Sequence, residues 1–287
     1  MHGFFDNPVV WAVYAWLVGL CVGSFLNVVA YRLPLMLERR WQADCRALLE
    51  QNGSEPWPED RPLPFNLCLP GSHCPHCNEP IRWHENIPLL SWLALRGRCA
   101  HCRSLISARY PLVELGTAML SLVLVMEMGL GWPTFFALLL LWTLIACTII
   151  DFEHQLLPDD LTLPLLWLGL LLNTRHVYVA APDAILGAAL GYLLLWSVYW
   201  LFRLFTGKEG MGYGDFKLLA ALGAWMGWQG LPLILLLASV TGAVAGIAYL
   251  IVRRRSLAFP FGPYLAIAGY VVMIEYHPLM SWLYGHG

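Results

Sequence analysis

The sequence predicts an all-α polytopic membrane protein, with about eight transmembrane helices and a cytoplasmic cysteine-knuckle insertion between the first and second. Three observations predict it. The chain is 59% hydrophobic and only 13% charged, whereas a soluble domain is nearer a quarter charged. Several of its apolar runs are long enough to cross a hydrocarbon core of about 30 Å. Ten of its seventeen Lys and Arg fall between Arg32 and Arg109, so the basic charge is concentrated in one inter-span segment. The net charge of −2 singles out no class of partner.

In chain order the expected spans are 9–31, 112–128, 134–150, 161–173, 183–205, 215–228, 231–252 and 258–277. The first has no preceding basic region and no small-residue cleavage site, so it is read as a retained helix and not as a signal peptide. The fourth and sixth are short, as expected of tilted, kinked or protein-buried helices. Pro164 is placed in the first turn of the fourth, where proline is tolerated. One of Asp159 and Asp160 is expected to cap that helix, and Asp183 the fifth. The division is 1–32 for the first transmembrane helix, 33–110 for the cytoplasmic domain and 111–287 for a seven-helix membrane core. Within the insertion, a short helix is expected at about 36–51, then irregular chain to 66, then a knuckle segment over 67–110.

Basic residues near span ends set the orientation. With the first loop cytoplasmic, Arg203, Lys208, Lys217 and Arg253-Arg254-Arg255 join the first ten on that side, leaving Arg175 alone opposite. Sixteen against one places the insertion in the cytoplasm and both termini outside.

Four of the eight cysteines form two C-x-x-C pairs, Cys74/Cys77 and Cys99/Cys102, with 21 residues between the pairs. Two such knuckles supply four thiolates to a tetrahedral, structural Zn2+ with no open position for water. In an arginine-rich cytoplasmic loop the pattern points to metal and away from a disulfide framework. His76 and His101 are alternative ligands, while His73 and His84 read as loop residues. Cys21 and Cys147 lie in apolar spans, and Cys45 and Cys68 lack partner spacing. The ribbon hangs between membrane spans and its arginines are offset by Glu79, Glu85 and Glu114, which argues against nucleic-acid binding.

Acidic residues in membrane segments are costly and are functional candidates by default. Asp151 closes one span, and Asp215 opens another 64 residues later, after Gly212-Tyr213-Gly214. Both fall at the cytoplasmic boundary. A helix C-terminus disfavours negative charge and an N-terminus favours it, so Asp215 is expected as the ionised base and Asp151 as the acid. If the fold brings them together, they share a proton and activate a water. If it does not, they are two boundary residues at separate helix ends. The two glycines would allow unusual backbone torsions and close approach of a substrate backbone. Gly-x-Gly alone equally fits a phosphate-binding turn. A proton-relaying transporter would need deeper acids and a repeated, broken-helix arrangement, and the sequence has neither. A scaffold docking a secretion partner through the knuckles would not need Asp215.

Gly23-Ser24-Phe25-Leu26-Asn27-Val28-Val29 with Arg32 and Pro34, Asn86-Ile87-Pro88-Leu89-Leu90-Ser91-Trp92 with Arg96-Gly97, and Ser107-Ala108-Arg109-Tyr110-Pro111 form one set of motifs. Asp151-Phe152-Glu153-His154-Gln155-Leu156-Leu157-Pro158-Asp159 and Gly212-Tyr213-Gly214-Asp215 form a second. Together they resemble the type IV prepilin peptidases, bifunctional leader peptidases and N-methyltransferases of bacterial inner membranes. The resemblance spans nearly the whole chain and is weakest over 38–66.

It implies a membrane-embedded Gly-x-Gly-Asp aspartyl protease using Asp151 and Asp215. Such an enzyme removes a short basic leader from prepilins and pseudopilins on the cytoplasmic side, after a glycine. It then methylates the new N-terminal residue, commonly phenylalanine, with S-adenosylmethionine. For methyl transfer, Asn27, Arg96, Gly97, Arg98 and Glu114 are the polar or flexible residues of these motifs nearest the cytoplasmic face. Segment 86–110 is the expected donor site. Arg96 and Arg98 are its candidate contacts, and Gly97 allows close backbone approach or serves as a plain turn. Asn27 is as well placed to bond another helix.

Overall fold

In the computed structural model, residues 8–51, 65–253 and 260–275 are described, and they are helical with no extended strand. The helices are α1 Pro8–Gln51, α2 Leu90–Ala94, α3 Arg109–Met128, α4 Trp132–His154, α5 Asp159–Asn173, α6 Ala181–Thr206, α7 Tyr213–Arg253 and α8 Gly262–Ile274. A 3-10 turn spans Trp83–Asn86. Five of these, α1, α3, α4, α6 and α7, are long and apolar enough to cross a membrane, while α8 is a shorter apolar helix. The chain divides into two compact units, residues 1–123 and 124–287.

In the first unit α1 does not stop at residue 31. It continues through Pro34 to Gln51 as one helix, about 66 Å at 1.5 Å per residue. That is twice a hydrocarbon core, so its charged C-terminal half lies beyond the bilayer. The expected irregular stretch after 51 lies largely outside the described residues. Small residues let α3 approach α1: a Cβ at Gly19 would stand 2.6 Å from Ala118 Cα, and one at Gly23 2.7 Å from Glu114 Cα. Asn27 bonds across this contact, its Nδ2 donating to Tyr110 O at 3.2 Å. Arg32 is buried and collects the returning chain, donating to Asn66 O at 2.9 Å and Pro70 O at 2.6 Å.

In the second unit α7 packs against α5, α6 and α8, and α4 against α5 and α8. The sixth and seventh expected spans form one helical stretch, interrupted at Gly227 (φ 73°, ψ 174°), a backbone region open essentially to glycine alone. From Asp215 to Gly227 every residue except Lys217 is buried, which explains why that segment is short. Gly187 and Gly191 of α6 lie directly against the backbone of Gly223 and Leu219 of α7, the small-residue contact that brings membrane helices close. At the far end Asn173 is fully buried. Its Nδ2 donates to Ala224 O at 2.8 Å, and its Oδ1 accepts from the amides of Tyr178 and Val179.

Two capping expectations are corrected. Helix α5 begins at Asp159 with Pro158 at its cap position and no side-chain cap. Asp159 is drawn instead to Lys217 Nζ, which donates to both its oxygens at 2.6 and 2.7 Å. Asp183 lies inside the first turn of α6 and accepts the indole N–H of Trp228 at 3.0 Å. Pro164 sits beyond the first turn of α5, within the helix.

Candidate active site and metal centre

Asp151 lies in the last turn of α4, which closes with Gln155 in a left-handed conformation and its N–H bonded to Asp151 O at 3.0 Å. Asp215 lies in the first turn of α7, its N–H bonded to Gly212 O at 3.3 Å. Both side chains are buried, at 6% and 7% exposure. Gly214, next to Asp215, and Gly262, which lies against Asp151, both pack on Leu157, so the fold brings the two carboxylates to one end of the second unit.

A third helix joins them. The N–H of Gly262, at the start of α8, donates to Asp151 Oδ2 at 3.0 Å. A Cβ at Gly262 would stand 2.6 Å from that oxygen. Leu157 fills the space between helices: a Cβ at Gly214 would meet its Cβ at 2.6 Å, and one at Gly262 its Cδ1 at 3.1 Å. The glycine signature therefore works differently from the sequence expectation. Neither Gly212 nor Gly214 has positive φ. Gly214 is small because Leu157 lies against it, while Gly212 faces open space. Asp151 stands at the C-terminus of α4 and also at the N-terminus of α8, so the dipole argument drawn from its own helix is opposed by a second one. Sequence reasoning missed Gly262 and Leu157. The Gly262-Pro263 pair announces a helix start, but nothing local says what that start faces.

In the first unit the four cysteine sulfurs lie within 4.8 Å of one another. Cys74 and Cys102 Sγ are 3.8 Å apart, matching the edge of about 3.8 Å in a tetrahedron with 2.3 Å metal–sulfur bonds. Each pair sits on the same hairpin. Cys74 N bonds to Glu79 O and Asn78 N to Cys74 O. In the second hairpin Cys99 N bonds to Ser104 O and Arg103 N to Cys99 O. Amides of Cys77 and His76 pull the Cys74 thiol down to about 6, and the Ser104 hydroxyl lowers Cys102. The cluster could hold a metal such as zinc.

Gly97 adopts φ +67° and a Cβ there would stand 2.9 Å from the Trp92 ring. Its N–H donates to Trp92 O, and its carbonyl accepts from Ile106 at 2.8 Å. A cavity of about 550 Å³ in this unit is bordered by Asn27, Trp92, Leu95, Cys99, Tyr110 and Glu114 among others. Arg96, Gly97 and Arg98 lie between two of its lining residues and are not themselves part of the wall.

An α-helical membrane protein with two buried carboxylates at one bundle end and a four-thiolate cluster is a narrow class. Residues 17–128 match the bacterial peptidase A24 N-terminal domain, and residues 138–247 match the type IV leader peptidase family. A prepilin leader peptidase/N-methyltransferase of Aeromonas hydrophila is 56% identical over 283 residues, 98% of this chain and 95% of that protein. Its namesake in Pseudomonas aeruginosa is 53% identical over 271 residues, 94% and 92% of the two chains. No solved structure matches. The chain belongs to the type IV leader peptidase family.

Proposed function

We propose that this chain is an aspartyl endopeptidase of the bacterial inner membrane, with Asp151 and Asp215 as its catalytic pair. It removes the basic leader of prepilins and pseudopilins on the cytoplasmic side, then N-methylates the new N-terminal residue. The relatives' names support both activities. The meeting of Asp151, Asp215 and the α8 N-terminus carries the protease reading. Two close carboxylates retain one proton between them and can polarise a water for attack on the scissile carbonyl. Gly262 fixes one Asp151 oxygen, leaving the other for that water. The sixteen-to-one distribution of basic residues supports a cytoplasmic site and insertion.

Cys74, Cys77, Cys99 and Cys102 would hold Zn2+ as a structural tie within residues 33–110. For S-adenosylmethionine, the cavity volume falls in the range of about 300–1,000 Å³ usual for small-molecule sites. The donor supplies an electrophilic methyl group. The chain's share is to hold the pilin amine against it, with residues of segment 86–110 in the wall and the Gly97 turn packed behind Trp92. The bilayer and the pilin substrates are the partners, with no role for nucleic acid.

Purified protein incubated with a prepilin tests the reading. Asp215→Asn should lower cleavage by about 10²–10⁴-fold while still methylating a pre-cleaved pilin. Full cleavage by the variant sinks the protease assignment. Loss of methylation shows that the two activities share a site.

A further inference from the structure

Glu114 is 7% exposed, and its Oε2 accepts the Leu89 N–H at 2.7 Å. Its other oxygen has no hydrogen-bond donor, and the carboxylate no cation, among the described residues. One turn of chain away, Tyr110 O receives the Asn27 amide. Asn27 is 3% exposed and its Oδ1 is buried without a partner. Both residues border the same cavity, with Tyr31, Trp92 and Tyr110 among its walls.

A buried carboxylate without a counter-charge is expensive, and an orphaned amide oxygen adds to the deficit. Two acceptors without a donor of their own ask for a ligand rich in N–H and positive in charge; Arg32, also at the cavity wall, donates to the carbonyls of Asn66, Leu67 and Pro70. One carboxylate and one amide oxygen are too few for Ca2+, which takes six to eight oxygens, and no group of three or more described His, Cys, Asp or Glu that could hold a metal includes Glu114. Tyr31, Trp92, Leu95 and Tyr110 among the walls, beside polar residues such as His73 and Glu79, favour an organic body carrying an ammonium group.

We propose that Glu114 and Asn27 form an ammonium-recognition site in this cavity, binding a ligand through its α-amino group. On the methyl-transfer reading, on which the ligand's identity rests, two molecules carry that group: the newly cut pilin N-terminus and the amino-acid end of the methyl donor.

The test is calorimetry on the metal-loaded, full-length protein in detergent. The probes are phenylalaninamide, S-adenosylhomocysteine and the N-acetylated form of each. In wild type, acetylation should weaken one of the two by tenfold or more, and which one identifies the source. In Glu114→Gln, which keeps an oxygen for the Leu89 amide, that difference should vanish. In Glu114→Asp, which keeps the charge, it should persist. Equal binding of free and acetylated probes by wild type overturns the site, as does an acetylation difference retained by Glu114→Gln. Loss of the difference in both variants together with loss of bound metal assigns Glu114 a structural role and also overturns it. A wild type that binds the amines yet fails to methylate a pre-cleaved pilin sinks the methyl-transfer reading and leaves the ammonium site standing.

Discussion

Gly262 holds Asp151 with its amide and clears the space a side chain would occupy. Replacing it with alanine forces a methyl group to within 2.6 Å of Asp151 Oδ2 unless something shifts. Misplacing a reacting group by about 1 Å can cost on the order of 10²-fold. Gly262→Ala should therefore cut the rate of leader cleavage by about 10- to 100-fold while metal content stays unchanged. A rate within twofold of wild type would remove Gly262 from the site. The two aspartates of the candidate site stood out in the sequence because each sits in a local motif. Gly262 was not, because its contact joins positions 111 residues apart and exists only once α4 and α8 meet. Asp159 misled for the same reason. Its position reads as a cap, but Lys217 reaches it from another helix.

Between helices, the tightest approach described is that of α6 and α7, where Gly187 faces Gly223 and a Cβ at Gly191 would stand 2.7 Å from Leu219 O. Backbone cannot move aside as a flexible side chain can. Gly187→Leu should lower stability by about 1–3 kcal/mol or more, read as a fall in the midpoint of denaturant unfolding in detergent. An unchanged midpoint would show that the helices separate at little cost. Hydropathy pointed to a helical membrane protein, and five of the described helices are long and apolar enough to cross a bilayer, because apolar length reports a bilayer. It placed the ends of α3, α4, α5 and α6 to within about four residues but not the end of α1 or the continuity of α7. Helix α1 runs on past residue 31 although Pro34 removes one N–H from its ladder, and α7 breaks at Gly227 inside an apolar run. The four cysteines were legible by spacing alone. Asn27 and Glu114 stood out by their motifs, but their place on one cavity wall was not legible, since they are 87 positions apart in the sequence.

Across the molecule, the two units rest on different forces. The second is a helix bundle closed by glycine contacts and buried hydrogen bonds. The segment from residue 65 to 108 has short elements only and buries few side chains besides Cys74 and Cys99. A metal held by the four cysteines would substitute there for a core. Stripping it with a strong chelator should open residues 65–108 to protease while a fragment spanning α4 to α8 survives, as followed by mass spectrometry. Equal resistance with and without chelator would show that the knuckles stand without metal.

The burial of α7 from Asp215 to Gly227 has a further consequence. Helices that face lipid adjust to bilayer thickness by tilting, and α6 offers lipid such residues as Leu204 and Phe205, each 79% exposed. The first half of α7 is sheathed by its neighbours and has almost no lipid-facing surface of its own. Hydrophobic mismatch thus acts on the sheath, and the depth of Asp215 is set by protein packing more than by the membrane around it.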